Sequence, residues 1–172
     1  MAAAEYHTID LDRLALSPGQ GKRLELEVDV AALEFGGYDY EVDEGPLAAR
    51  LEISRNAAGY AMRLRFEASI AGPCVRCLGL ARVGVAVDSR EVDQALADDE
   101  ELRSPYVSEG VLALADWAHD ALALALPLKL LCRVDCAGLC SVCGVSLNDT
   151  DPAAHDHAPQ LDPRWEKLRE LQ

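Results

Sequence analysis

A chain of 172 residues has room for one domain with a sizeable core, and with 50% hydrophobic but only 5% aromatic residues that core must be filled by Leu, Val and Ala. A formal net charge of −14 excludes a protein that coats nucleic acid nonspecifically, because phosphate binding of that kind needs an excess of Lys and Arg. The N-terminal residues carry charge too early for a signal peptide, and Asp116, His119, Asp120 and Pro127 interrupt the longest apolar stretch. These features predict a cytoplasmic protein, and in a reducing compartment its six cysteines read as metal ligands rather than disulfides.

The N-terminal half predicts strands. In "RLELEVDV" Leu24, Leu26 and Val28 alternate with Glu25, Glu27 and Asp29, the period of a sheet with one wet face. "GGYDYEVDEG" is bounded by turns, and residues 47–72 read as two strands around a turn at Asn56–Gly59. In the second of these, Met62, Leu64, Phe66, Ala68 and Ile70 share one face, while Arg63, Arg65, Glu67 and Ser69 share the other. "LARVGVAVDSREV" is a further alternating strand, and an antiparallel sheet is the natural assembly.

Charge is unevenly placed. Between positions 50 and 82 stand Arg50, Arg55, Arg63, Arg65, Arg76 and Arg82 against only Glu52 and Glu67, so this segment is locally basic. Asp88 to Glu101 reverses the sign and ends in the run Asp98–Glu101, expected to be a solvated loop. A helix is expected over Val111–Leu126, stopping before Pro127. Its Asp116, His119 and Asp120 form a polar stripe whose simplest reading is the solvent edge of a core helix.

From Cys132 to Pro163 the chain is turn-rich and short of large apolar residues, and a short helix is expected after Asp162 and Pro163, carrying Trp165, Leu168 and Leu171. Such a segment needs another source of stability, which tetrahedral zinc held by thiolates supplies as folding free energy. The ligands are present. "CVRCLG" and "CSVCG" are both Cys-x-x-Cys units with a glycine close behind, Cys132 and Cys136 form a third pair, and "HDH" adds His155 and His157. Eight ligands fill two closed sites. The preferred grouping is Cys74, Cys77, Cys132 and Cys136 for one zinc and Cys140, Cys143, His155 and His157 for another; the alternative joins the two Cys-x-x-Cys units as in a zinc ribbon.

Enzymatic readings are poorer. No His-Glu-x-x-His pattern occurs to support a zinc hydrolase, and "GPCVRCLG" lies between strands rather than at the helix N-terminus that would activate a redox cysteine. The expected fold is α+β, a twisted antiparallel sheet with one core helix over residues 1–131 and a zinc-knuckle segment over 132–172, packed together as one unit. Oligomeric state is not legible.

The order "CVRCL", an acidic stretch, "LPLKLLCRVDCAGLCSVCGVSLND" and a closing "DPR" resembles the YceD family, also called DUF177, over roughly residues 20–171. Where cysteine-rich relatives carry Cys-x-Cys before that "DPR", this chain has His155-Asp156-His157. The resemblance implies a noncatalytic role in the synthesis, processing or stability of large-subunit (23S) ribosomal RNA. The partner would be that RNA or a large-subunit ribosomal protein. Arg63, Arg65 and Arg76 are the candidate contacts to RNA; an acidic chain equally suits an adaptor for a basic ribosomal protein, and a thiol redox protein is the remaining alternative.

Overall fold

A computed structural model describes residues 7–42, 45–94 and 102–151 together with His155 and His157. Nine strands and one α-helix occur among them, in the order β1 (Thr8–Asp10), β2 (Gly21–Val28), β3 (Leu33–Phe35), β4 (Tyr38–Val42), β5 (Leu47–Arg55), β6 (Tyr60–Pro73), β7 (Leu80–Asp93), β8 (Val107–Ser108), β9 (Val111–Ala113) and α1 (Leu114–Ala125). The expected α+β class is observed.

The main sheet is antiparallel and is organised by β6. On one side β7 pairs with β6 along its full length, from Tyr60 opposite Asp93 to Pro73 opposite Leu80. The other side is divided: β5 pairs with the first half of β6 and β4 with Ile70 and Ala71. β2 extends the sheet beyond β5, and β3 beyond β4. Turn chemistry sets these registers. Asn56 Oδ1 accepts the amide N–H groups of Ala58 and Gly59, each at 2.8 Å, which closes the β5–β6 turn. Gly36 and Gly37 both have positive φ, 61° and 78°, so a two-residue turn can join β3 to β4.

Period-two patterning decides the faces. Met62, Leu64, Phe66, Ala68 and Ile70 are buried as expected, and Leu51, Ile53, Leu26 and Val28 from neighbouring strands join them in one core. The helix covers this face through Leu114, Trp117, Ala118, Ala121 and Leu122. Trp117 is buried, and its Nε1–H donates to Ser89 Oγ on β7 at 2.9 Å, so the polar edge of the ring is satisfied inside the core. Three residues of the expected helix, Val111 to Ala113, instead form β9, which pairs with β1 and β8 in a small second sheet. Their β-branched and aliphatic side chains suit either state, and pairing of Ile9 with Leu112 captures them for the sheet. The helix ends at Ala125, and Leu126 is extended as the residue before Pro127 should be.

The acidic segment divides likewise. Asp88 to Asp93 belong to β7, whereas Asp98–Glu101 lie outside the described residues, as does the helix expected after Asp162.

Candidate metal centre

The loop Cys74–Gly79 is the tip of the long β6–β7 hairpin. Its backbone closes on itself: the N–H of Cys74 donates to Gly79 O at 2.8 Å and that of Leu78 to Cys74 O at 2.9 Å. The segment after the helix repeats this design. Leu139 and Ser146 form an isolated antiparallel bridge, the N–H of Cys140 donates to Val145 O at 2.8 Å, and that of Gly144 to Cys140 O at 2.9 Å. Each unit is thus a six-residue knuckle on a hairpin stem. The left-handed turn residue is Leu78 (φ 59°) in the first and Gly144 (φ 73°) in the second, so the glycine close behind the first pair, Gly79, does not carry the left-handed angle.

Eight ligand atoms converge in two groups, Cys74, Cys77, Cys132 and Cys136 in one and Cys140, Cys143, His155 and His157 in the other, with the ligand atoms of each group within 4.8 Å of one another. The two groups coincide with the preferred grouping and not with the ribbon-like alternative. The N–H of Val75 donates to Leu130 O at 2.9 Å, which brings the chain after the helix alongside the first knuckle and delivers Cys132 and Cys136 to it. Cys74 and Cys136 are buried and, with Ala81 and Leu130, make a second small core; Cys132 and Cys143 are exposed.

The separations discriminate between chemistries. Around a tetrahedral zinc ion, bonds of about 2.3 Å to sulfur and 2.05 Å to nitrogen place sulfur–sulfur edges at about 3.8 Å, sulfur–nitrogen at about 3.6 Å and nitrogen–nitrogen at about 3.3 Å. The corresponding distances are 3.8 Å for Cys74 Sγ to Cys136 Sγ, 3.6 Å for Cys77 Sγ to Cys132 Sγ, 3.6 Å for Cys143 Sγ to His155 Nε2 and 3.1 Å for His155 Nε2 to His157 Nε2. Both donor sets fit such an ion, and all six cysteines are free thiols. The polypeptide favours thiolate at some of these positions and the thiol at another: burial and the neighbouring Cys136, Cys77 and Cys74 push Cys132 up to about 12. Burial pushes the Cys74 thiol up, but the amides of Arg76, Cys132 and Cys77 outweigh it and hold the group down to about 6. Cys140 is brought down to about 6 first by His155 and then by the amides of Cys143 and Val142.

One supporting residue was not singled out from the sequence. Asn148 Oδ1 accepts the N–H of Ala137 at 2.8 Å and a guanidinium N–H of Arg133 at 3.1 Å, while its Nδ2 donates to Cys136 Sγ at 3.4 Å. That last contact is the largest cause lowering the Cys136 thiol. Asn148 lies on the stretch between Cys143 and His155, so it ties the chain of the second cluster to a ligand of the first. The "SLN" in the cysteine-rich signature was the available signal.

The three candidate arginines do not assemble. Arg63 makes a two-point ion pair with Asp88, Nε to Oδ1 at 2.7 Å, and Arg65 Nη2 donates to Glu52 Oε1 at 2.9 Å, where Arg23 also binds. Arg76 is exposed in the first knuckle. Eight residues of extended β6 separate Arg65 from Pro73, about 26 Å. The helix stripe is likewise ordinary: Asp116 and Asp120 are exposed, Asp120 accepts the Tyr106 hydroxyl at 3.0 Å and contacts His119 Nδ1 at 3.1 Å, and these residues form no metal-holding group among those described.

Fold and site together define an α+β protein with two four-donor Cys/His clusters built at one end of its sheet. A family model described as "Large ribosomal RNA subunit accumulation protein YceD" matches residues 62–172, from β6 through both clusters, and the chain belongs to the YceD family. It is 32% identical over 173 residues to an uncharacterized protein of Mycobacterium tuberculosis and to one of Mycobacterium bovis, covering 95% of this chain and 80% of each relative. A Mycobacterium leprae protein is 33% identical over 103 residues, 57% of this chain and 46% of its own. No solved structure matches the chain at a significant level. Among the described residues, no helix is long and apolar enough to cross a membrane.

Proposed function

We propose that this protein is a noncatalytic cytoplasmic factor in the accumulation of 23S ribosomal RNA, and that two zinc ions hold the end of the molecule that meets its partner. The observation that carries the reading is the sorting of eight donors into two groups of four, with the ligand atoms of each group within 4.8 Å of one another. A closed set leaves no position for substrate or activated water, which is the signature of a structural rather than a hydrolytic ion. Each cluster supplies chemistry of one kind, fixing backbone that has little core of its own. The residues do the rest: Asn148 orients Cys136, Leu130 packs with Cys74 and Cys136, and the knuckle amides stabilise thiolate charge. A redox role is less favoured, since neither Cys-x-x-Cys opens an α-helix that would activate an attacking thiolate.

The ribosomal assignment rests on the family description. Arg76 is the arginine best placed for a partner contact, because Arg63 and Arg65 already satisfy Asp88 and Glu52. The net charge of −14 favours a second reading, an adaptor for a basic ribosomal protein. Depletion in cells, followed by the ratio of 23S to 16S RNA, tests the role, and recovery of tagged protein from lysate with and without ribonuclease separates the two partners. A fallen ratio with ribonuclease-sensitive recovery is the expected result. An unchanged ratio removes the ribosomal role, and ribonuclease-resistant recovery of ribosomal protein selects the adaptor.

A further inference from the structure

Beside the first cluster lies an apolar groove of about 230 Å³ lined by Phe35, Tyr40, Val75, Pro127, Leu128 and Leu130, with Ile70, Ala123 and Leu126 behind them. It is smaller than the roughly 300 Å³ at which pockets for drug-sized molecules begin. Aromatic side chains are scarce in this chain, yet Phe35 and Tyr38, 43% and 53% exposed, are the only aromatics among the exposed large hydrophobics of the described residues, and both stand on the β3–β4 hairpin that walls this groove. Phe35 meets Tyr40 edge to face at 5.8 Å. Opposite them Leu128 is fully exposed. Such a surface is costly in water unless it is covered in use.

Two of the lining residues, Val75 and Leu130, have a cation as their chain neighbour, although the chain as a whole is strongly acidic. Val75 donates its N–H to Leu130 O, and one residue from each partner stand Arg76 and Lys129, both exposed and neither paired with a carboxylate among the described residues. Elsewhere on the sheet, Arg23, Arg50, Arg63 and Arg65 are all bound to Glu or Asp. Two uncommitted cations next to a ring-sized apolar slot match a partner that joins anions to flat apolar faces. A basic ribosomal segment would be repelled by the same cations.

We propose that this groove takes an unstacked base of single-stranded RNA, with Arg76 and Lys129 on the flanking phosphates. The proposal rests on the ribosomal reading above for the choice of RNA, and it specifies the strand state and the docking surface. Stacking on an aromatic platform is how unpaired bases are generally held, and a duplex cannot offer one.

The test uses the full-length, zinc-loaded chain and a fluorescein-labelled oligoadenylate of about 12 nucleotides, within the span of a small single-strand site. Lys129→Glu and Leu128→Asp alter exposed positions and spare the fold, and Phe35→Ala removes the platform; zinc content and melting temperature verify each variant. The wild-type chain should bind the single strand more tightly than an RNA duplex of the same length. Leu128→Asp and Phe35→Ala should weaken it about tenfold, and Lys129→Glu should reduce the salt slope by about 0.7. Arg63→Gln should bind like wild type. Equal binding by all variants, preference for duplex, or no binding would overturn the proposal. Loss of a ribosomal protein, rather than RNA, from the lysate recovery of Leu128→Asp would give the groove to a protein and overturn it too, while the 23S to 16S ratio on depletion judges the ribosomal role independently.

Discussion

Leu78 stands in the first knuckle where Gly144 stands in the second, each with positive φ and each donating its N–H at 2.9 Å to the carbonyl of the knuckle's first cysteine. A leucine pays about 1 kcal/mol or more for that left-handed angle. Its side chain is 58% exposed, so little packing compensates. Leu78→Gly is therefore expected to retain zinc and to leave the thermal midpoint equal or higher, the relief of strain being partly offset by a more flexible unfolded chain. Gly144→Leu should lower the midpoint. A marked fall for Leu78→Gly in calorimetry would show that the leucine is held by contacts within the protein.

Metal removal should act on one end of the molecule. Residues 128–151 contain no helix or extended strand, whereas β5, β6 and β7 are paired over long registers. Chelation is expected to expose the chain after Pro127 to limited proteolysis while amides of β6 stay protected from exchange. Loss of both together would make the two Cys/His clusters part of the main core.

Acid should loosen the metal-free protein. Cys74 and Cys140 are held down to about 6, below the ordinary thiol value of about 8.5. For groups depressed in the folded state, the stabilisation is fully present above the unfolded value and is lost as pH falls through the folded one. Chemical denaturation of the metal-free chain under reducing conditions should therefore show stability declining from about pH 8.5 to 6. A flat profile would mean that neither the amides around Cys74 nor His155 beside Cys140 favour thiolate.

Asn148 connects the chain between Cys143 and His155 to Cys136, so its loss should be felt as metal affinity. Asn148→Ala removes a donor to the sulfur and leaves the Ala137 amide without its acceptor. Outer-shell substitutions of this kind cost about 10- to 100-fold in affinity. Asn148→Asp keeps the acceptor but sets a carboxylate against a thiolate, and competition with a chromophoric chelator should rank it at or below Asn148→Ala. Wild-type affinity in both would reduce Asn148 to a loop residue.

Periodicity made most of this fold legible. Alternation in β2, β6 and β7 identified the buried faces, since a period of two leaves little freedom once one side is apolar. The convergence of six cysteines and two histidines in two groups was legible as well, because few other roles put such side chains at these spacings. Local pattern did not reveal that β6 divides one edge between β5 and β4, or that Val111–Ala113 would be recruited by Ile9 from the far N-terminus. Those are long-range choices. Arg63 and Arg65 looked available because Asp88 and Glu52 lie on other strands, and only register sets them side by side.

Gly72 shows a constraint of the same long-range kind. A Cβ at that position would lie 2.3 Å from Cδ1 of Tyr40, whose ring packs against both hydrophobic clusters. Gly72→Ala should displace the ring at a cost of about 1–3 kcal/mol, as overpacking generally does. Tyr40→Ala in the same chain should recover part of that loss. Additive losses in the double variant, measured by urea denaturation, would mean the alanine is accommodated by backbone movement instead.

The second cluster offers the sharpest stoichiometric test. His155 and His157 contribute two of its four donors, their Nε2 atoms 3.1 Å apart and that of His155 3.6 Å from Cys143 Sγ. Two thiolates alone leave half of a tetrahedral shell to water, and such a site loses its ion to dilution far more readily than a closed one. Replacing both histidines by Ala should therefore lower zinc by about one per chain in atomic emission after exhaustive dialysis. The first cluster is fixed by β6, β7 and Leu130 and should keep its metal. Restoring thiolates through His155→Cys and His157→Cys should return the second ion and, because thiolate binds zinc strongly, resist competing chelator at least as well as the natural pair. Unchanged zinc in the double alanine variant would detach both histidines from the site and leave Cys140 and Cys143 to other ligands.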